Sequence, residues 1–444
     1  MAKKIWWSAP DITLVMKPGY SRLVISSWAC YDFANSPFTT LVLTFVYATY
    51  FTQMVASDPI TGTVLWSRAI ALSALIVGVF SPILGAFSDR LGYRKVWLLF
   101  FTVMCAAATA GLYGVLPGQV MAALVLIIIA NTAYEFAMVF YNAFLPDIAP
   151  MERIGQVSGY GWGLGYLGGL LALIFVLVVF IQPDTPWFGL TKVEGENIRA
   201  TNIVVAIWLI IFSVPFLLWV PEKKPGISHR RINSGNTLSQ LQATFRGILK
   251  FPEVCRFLIA RFIFNNGLVT IFVFGGIYAA ESFGFTLQEV LIFGIALNIA
   301  AGFGAFSMSY LDDAFGGKKT IIISLVGLML AATLAVLTDS KALLWVAGIV
   351  IGIFSGPNQS ASRSLMARLV PSKSQAQFFG FYAFSGKFTA FLGPLVFGVL
   401  TQWTGSQRWG LSVVVVMFFV GMLIMLPLNE QEGMARVERV KGLE

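Results

Sequence analysis

Ser88-Asp89-Arg90-Leu91-Gly92-Tyr93-Arg94-Lys95 recurs in degraded form 224 positions later as Asp312-Asp313-Ala314-Phe315-Gly316-Gly317-Lys318-Lys319. Each copy is a short polar loop with a glycine, set between two long apolar runs. A second match, Gly159-Tyr160 with Gly165 against Gly380-Phe381 with Gly386, has an offset of 221. A membrane-spanning helix needs about 20 mostly apolar residues, and about twelve runs of that length lie between polar or Pro/Gly punctuation. The first half gives approximately 23–51, 64–87, 96–116, 120–144, 158–181 and 201–220, and the second approximately 256–280, 288–310, 320–337, 342–366, 376–400 and 410–428. The spacing therefore predicts an all-α polytopic membrane protein of twelve transmembrane helices in two parallel six-helix halves. That layout places a solute site between the halves near the midplane.

Composition agrees. Apolar residues make up 57% of the 444 and charged residues 11%, against roughly 45–50% and 25% in soluble domains. This excludes a soluble globular enzyme. An aromatic content of 14% excludes a disordered scaffold. The +9 net charge is explained by where the cations fall: with the N-terminus inside, 23 of the 30 Lys and Arg, among them Arg94, Arg363 and Arg368, flank cytoplasmic ends. Five others, Arg68, Lys192, Arg199, Lys341 and Arg408, lie on the opposite side. Retention of positive charge inside then sets both termini in the cytoplasm of a cell (inner) membrane, and nucleic acid is not expected as a partner. The expected organisation is a six-helix half over 1–220, a basic linker over 221–255 lying on anionic headgroups, and a second half with a short tail over 256–444. Pro10 and Asp11 interrupt the first apolar stretch, so no cleaved signal is expected.

The stretch Gly85-Ala86-Phe87-Ser88-Asp89-Arg90-Leu91-Gly92-Tyr93-Arg94-Lys95 resembles the signature loop of the major facilitator superfamily, with Tyr93 where a basic residue is usual. Trp28 to Phe38 (WACYDFANSPF), Phe140 to Ile148 (FYNAFLPDI) and Ser158 to Gly169 (SGYGWGLGYLGG) are similar to the vacuole-effluxer family within it. The resemblance covers nearly the whole chain. It implies the twelve-span fold and, by analogy with vacuolar members, export of amino acids.

Charge inside a bilayer costs roughly 2.5–3.5 kcal/mol per group even on the mildest scale, so Asp32, Glu135, Arg261 and Lys387 stand out. Asp32 and Lys387 reach mid-membrane. Trp28, Asp32, Asn35 and Thr39 share one helix face, as do Asn131, Glu135, Met138 and Asn142. These stripes read either as bonds between helices or as cavity-facing groups that bind a proton or a substrate cation. Desolvation disfavours a carboxylate's charged form, which makes proton exchange at Asp32 reasonable, while an adjacent cation would oppose it. Lys387 reads as a ligand for a substrate anion or as a partner for a carboxylate. Arg261, about two turns from the inner face, reads as a snorkelling side chain or a ligand. Asn265, Asn266, Asn298, Asn358 and Gln359 are further polar groups in the second half. In the signature loop Gly85, Asp89, Arg90, Gly92, Arg94 and Lys95 are expected to form a conformational switch: Gly92 permits a tight turn, and Asp89 can cap a facing helix N-terminus or pair with a cation. The copy around Asp313 is expected to be a plain turn. Ser36-Pro37 is expected to break its helix.

Gly163-Leu164-Gly165-Tyr166-Leu167-Gly168 is a literal G-x-G-x-x-G, but no strand precedes it and it lies in a membrane-length run, so it is not read as dinucleotide binding. Gly161, Gly165 and Gly168 share a face suited to close helix contact, and Tyr166 is a candidate cavity residue. Gly317-Lys318-Lys319-Thr320 lacks the upstream glycine of a P-loop, the lone histidine His229 lies in the linker, and Cys30, Cys105 and Cys255 lack metal-ligand spacing. No cofactor and no metal are expected. A secondary active transporter, a monomer moving a small polar or zwitterionic solute with protons, is the expected function. A lipid or amphiphile flippase and a non-transporting receptor are the alternatives on the same fold.

Overall fold

The computed structural model describes residues 21–222, 246–387 and 392–442. Residues 1–20, most of the predicted linker and the side chain of Arg90 lie outside them.

Twelve described helices are long and apolar enough to cross a membrane. In the first half they are α1 (Arg22–Pro37, continuing to Val55), α2 (Pro59–Leu91), α3 (Arg94–Gly111), α4 (Val120–Ala143), α5 (Ile154–Val176) and α6 (Glu196–Trp219). In the second they are α7 (Pro252–Phe283), α8 (Leu287–Phe315), α9 (Gly317–Leu337), α10 (Lys341–Arg368), α11 (Gln375–Lys387 and Leu392–Thr404) and α12 (Gln407–Met425). A short polar helix, α13 (Glu430–Gly442), follows. Rows of exposed apolar side chains such as Leu72, Leu75, Val79 and Phe80 cover the outside of the bundle, as contact with lipid tails requires. The two loop copies lie at one end of the bundle, called the loop end below.

Local chemistry explains the irregular first span. Pro37 has no N–H to give the carbonyl of Phe33, one turn earlier. The indole of Trp208 on α6 donates to that carbonyl instead, at 3.1 Å. The chain does not break there as expected. It widens into π-helical turns over Phe38–Phe45, a form in which the carbonyls can seek other partners. Asp32 lies less than two turns before this change.

The halves meet through α2 with α11, α5 with α8, α5 with α10, and α4 with α11. Glycine makes the approach close enough. At Gly85 an added Cβ would overlap the carbonyl of Ala376, and at Gly380 the carbonyl of Ser81. The second crossing repeats the first: at Gly159 a Cβ would lie 2.6 Å from the carbonyl of Ala305. Gly161, Gly165 and Gly168 take the opposite face of α5, against α1, where a Cβ on Gly165 would fall 2.8 Å from Ser36 Oγ and one on Gly168 2.5 Å from Phe33 O. α5 is thus wedged between its own half and the other one by two glycine faces.

Candidate functional site

At the loop end, Gly92 has φ 68° and Gly316 has φ 92°, a backbone region in which a side chain is strained. Each turn aims an aspartate across the interface between the halves. Asp89 Oδ1 and Oδ2 accept from the backbone N–H groups of Ala376 (3.1 Å) and Gln377 (2.8 Å), the first turn of α11. Asp313 accepts from Gly155 (2.7 Å) and Gln156 (3.0 Å), the first turn of α5. Acceptors and donors are related by the same two offsets as the sequence repeats, so the copy around Asp313 is not a plain turn. It is the second half of a two-fold lock, and each carboxylate faces the positive end of a helix dipole.

Cations complete the lock differently on the two sides. Arg94 is buried, with Nη1 donating to Asp147 Oδ2 (3.2 Å), Gln375 Oε1 (2.5 Å) and the carbonyl of Ala143 (3.1 Å), and with Nε 3.8 Å from Asp89. Arg368 is buried too, pairing with Asp312 (2.6 Å), Asp313 (3.1 Å) and Glu430 (3.2 Å). The backbone N–H of Lys95 donates to Glu222 (2.9 Å), and those of Gly317 and Lys318 donate to Glu430 (3.2 and 2.9 Å). Acidic residues after α6 and α12 thus cap the starts of α3 and α9.

Deeper in the bundle the two predicted polar stripes face each other. Trp28 stacks on Tyr141 at 4.6 Å and its Nε1 donates to the carbonyl of that residue at 3.2 Å. Asn35 Nδ2 reaches Met138 Sδ at 3.3 Å, and Asn131 Nδ2 donates to Ser73 at 2.8 Å. Asp32 Oδ2 meets Arg363 Nη1 of α10 at 2.8 Å. That guanidinium is 2% exposed, lies 4.8 Å over Trp28 and 5.7 Å from the Tyr141 and Trp162 rings, and also donates to Ser158 Oγ (2.9 Å), Ser158 O (2.6 Å) and Asn142 Oδ1 (3.4 Å). An Arg363 buried this way is no exposed flanking charge, which corrects its place, and those of Arg94 and Arg368, in the count of flanking cations. Arg363 was missed because a cation five residues from a helix end is what a flanking charge looks like. The Cys-Tyr-Asp run in an apolar span was the one hint that a counter-ion had to exist.

A second pair joins the halves nearby: Lys387 Nζ of α11 lies 2.6 Å from Glu135 Oε1 of α4, and the lysine side chain is 43% exposed against 10% for the glutamate. Arg261 does not snorkel. It is 7% exposed, its guanidinium lies 3.6 Å over Tyr382, and Nη1 donates to Tyr382 O (2.8 Å) and Ser385 Oγ (2.9 Å). Asn265 donates to Gly386 O at 3.1 Å, and Asn266 accepts from Gly393 N at 3.2 Å. Asn298 and Asn358 donate within the half, to Gly294 O and Ser324 Oγ. Tyr166 packs its Cβ against Gly302 of α8, across the interface, and its ring lies tilted to that of Trp162 with centroids 5.9 Å apart. Asp32, Trp28, Asn142 and Arg363 therefore form one cluster, and Glu135, Lys387 and Arg261 gather around α11.

The family described as vacuole effluxer Atg22 like matches residues 60–438. The uncharacterized MFS-type transporter YxiO of Bacillus subtilis (strain 168) is 28% identical, over 91% of this chain and 95% of its own. Autophagy-related protein 22 of Coccidioides immitis (strain RS) is 24% identical, over 80% of this chain and 70% of its own. Among solved structures, the major facilitator proton:xylose symporter XylE bound to 6-bromo-6-deoxy-D-glucose superposes with a TM-score of 0.73 at 16% identity, covering 94% of this chain and 98% of that one.

Proposed function

The chain belongs to the Atg22-like vacuole effluxer family, and from that premise we propose that it moves a small zwitterionic solute, an amino acid, by proton-coupled alternating access. Its fold and family are those of major facilitator secondary transporters, which are not enzymes. The observation that carries the finer reading is the pair of bridges between the halves. Each joins a carboxylate of the first half to a cation of the second, Asp32 to Arg363 and Glu135 to Lys387. Rocking of the halves separates both pairs, and a charge left alone in a low-dielectric interior must find another partner.

The two bridges suit different replacements. Lys387 is open enough for a solute to reach, so a substrate carboxylate takes Lys387 and its ammonium takes Glu135. Arg363 is closed in by aromatic rings and Ser158, so Asp32, once parted from it, takes a proton. Trp28, Asn35, Asn131, Asn142 and Tyr166 shape the space between the two pairs. The loop-end lock through Asp89, Arg94 and their counterparts in the second half holds one of the two states. We place that end, both termini and the 221–255 linker on the cytoplasmic side of the cell membrane, with the protein working as a monomer.

Counterflow in proteoliposomes tests this reading. Labelled alanine or glutamate should exchange against unlabelled amino acid through the wild type, and Glu135→Gln should exchange at least tenfold more slowly. Lipid translocation without any solute exchange would replace this reading with a flippase.

A further inference from the structure

Arg261 and Asp32 occupy related places in the two halves. Asp32 lies on α1 against Gly161 and Gly165 of α5; Arg261 lies on α7 against Tyr382 and Gly386 of α11, where an added Cβ on Gly386 would be 2.6 Å from Arg261 Nη1. The glycines are the repeat pair with the offset of 221. The counter-ion of Asp32 comes from the opposite half, from Arg363 on α10. The residue 221 positions before Arg363 is Asn142, a neutral amide, and its Oδ1 accepts from Arg363 itself. Arg261 thus has no counter-ion where the symmetry of the fold would put one. Among the described residues no carboxylate lies within 4 Å of it. Its contacts are the face of Tyr382, one carbonyl and one hydroxyl, all through the ring or Nη1.

The next residue along α11, after the glycine that Arg261 touches, is Lys387. Two cations therefore converge on one turn of α11, and one carboxylate, Glu135, answers them. With Asp32 and Arg363 cancelling, these five groups carry one positive charge in excess. A buried, uncompensated charge is costly, and the cost falls when an anion of matching charge enters.

Resting on the transport reading above, we infer that the site takes a solute with one net negative charge: an amino acid carrying a second carboxylate. Its ammonium goes to Glu135, one carboxylate to Lys387 and the other to the unused Nε and Nη2 edge of Arg261, where planar bidentate pairing is available. A neutral amino acid leaves Arg261 unanswered.

The test is counterflow by the full-length protein in liposomes with glutamate, succinate, alanine and lysine, repeated with Arg261→Gln and Arg261→Lys. Wild type should prefer glutamate to alanine at least tenfold. Arg261→Gln should lower the glutamate-to-alanine ratio at least tenfold, and Arg261→Lys, which keeps the charge but not the planar fork, should give a ratio between those of Arg261→Gln and the wild type. Exchange of alanine but of neither anion would overturn the inference and leave the amino-acid reading standing. Exchange of succinate without alanine or glutamate would overturn both the amino-acid reading and this inference. No exchange of any solute overturns both. Loss of all exchange in equal proportion in Arg261→Gln, with a lowered melting temperature and no recovery in Arg261→Lys, would show Arg261 to be a staple between α7 and α11 and overturn the inference.

Discussion

Asp32 and Arg363 lie 331 residues apart and share one ion pair at 2.8 Å, so each is the reason the other can be buried. Removing one partner leaves a charge that the bundle cannot solvate, and breaking a buried pair this way costs about 3–5 kcal/mol. Arg363→Gln should therefore lower the melting temperature in detergent markedly, and adding Asp32→Asn to it should restore much of the loss. Additive losses in the double variant would show that the two side chains do not depend on each other. Asp32 was legible in the sequence because a carboxylate amid apolar residues stands out at mid-span. Arg363 was not, because its chemistry is visible only once α1 and α10 are side by side. Arg261 was seen, but two turns from a helix end left snorkelling and a ligand role both open, and only the ring of Tyr382 shows that the guanidinium turns inward.

At the scale of elements, the lock is made by helix ends. Asp89 caps α11 and Asp313 caps α5 with four backbone hydrogen bonds between 2.7 and 3.1 Å. Charged caps of this kind contribute roughly 0.3–2 kcal/mol each. Asp89→Asn and Asp313→Asn should each leave the protein folded, slow transport and raise the population open at the loop end by severalfold, as read by distances between spin labels on α2 and α11. An effect from Asp89→Asn alone would return the Asp313 loop to an ordinary turn. The second loop was undervalued in the sequence because its basic residues are shifted: the arginine that braces it, Arg368, comes from the end of α10. α13 adds a further brace, since Glu430 both caps α9 and pairs with Arg368. Glu430→Gln should weaken the lock in the same direction as Asp313→Asn, and combining the two should add little, because residues in one network couple. The widened turns after Pro37 were legible only as a disturbance. Their form depends on Trp208, which no local reading of α1 brings near.

For the whole molecule, the repeat offsets carried more than fold class. The same 224 and 221 that align the loops and glycines in the sequence relate the caps and close crossings in space, so the pseudo-two-fold was on the page before any coordinate. What the repeat hides is where the halves differ in charge, as at Asn142 against Arg363, and the proposed coupling and selectivity rest on that difference. The proposed orientation rests on the cation count, which stays asymmetric even without Arg94, Arg363 and Arg368. Cysteines at Lys4 and Ser234 should be shielded from a membrane-impermeant thiol reagent in intact cells, while one at Gly195 should react; labelling at Ser234 in unbroken cells would invert the topology. The central claim is that Asp32 exchanges Arg363 for a proton as the halves rock. Asp32→Asn keeps size and hydrogen bonding but removes the titration; it also leaves Arg363 unpaired, so the comparison is made on the folded fraction, identified by its melting temperature in detergent. Reconstituted in liposomes, that variant should still exchange labelled for unlabelled solute at zero pH gradient and should fail to accumulate solute when a pH gradient is imposed. Accumulation that survives at the wild-type level would contradict the account.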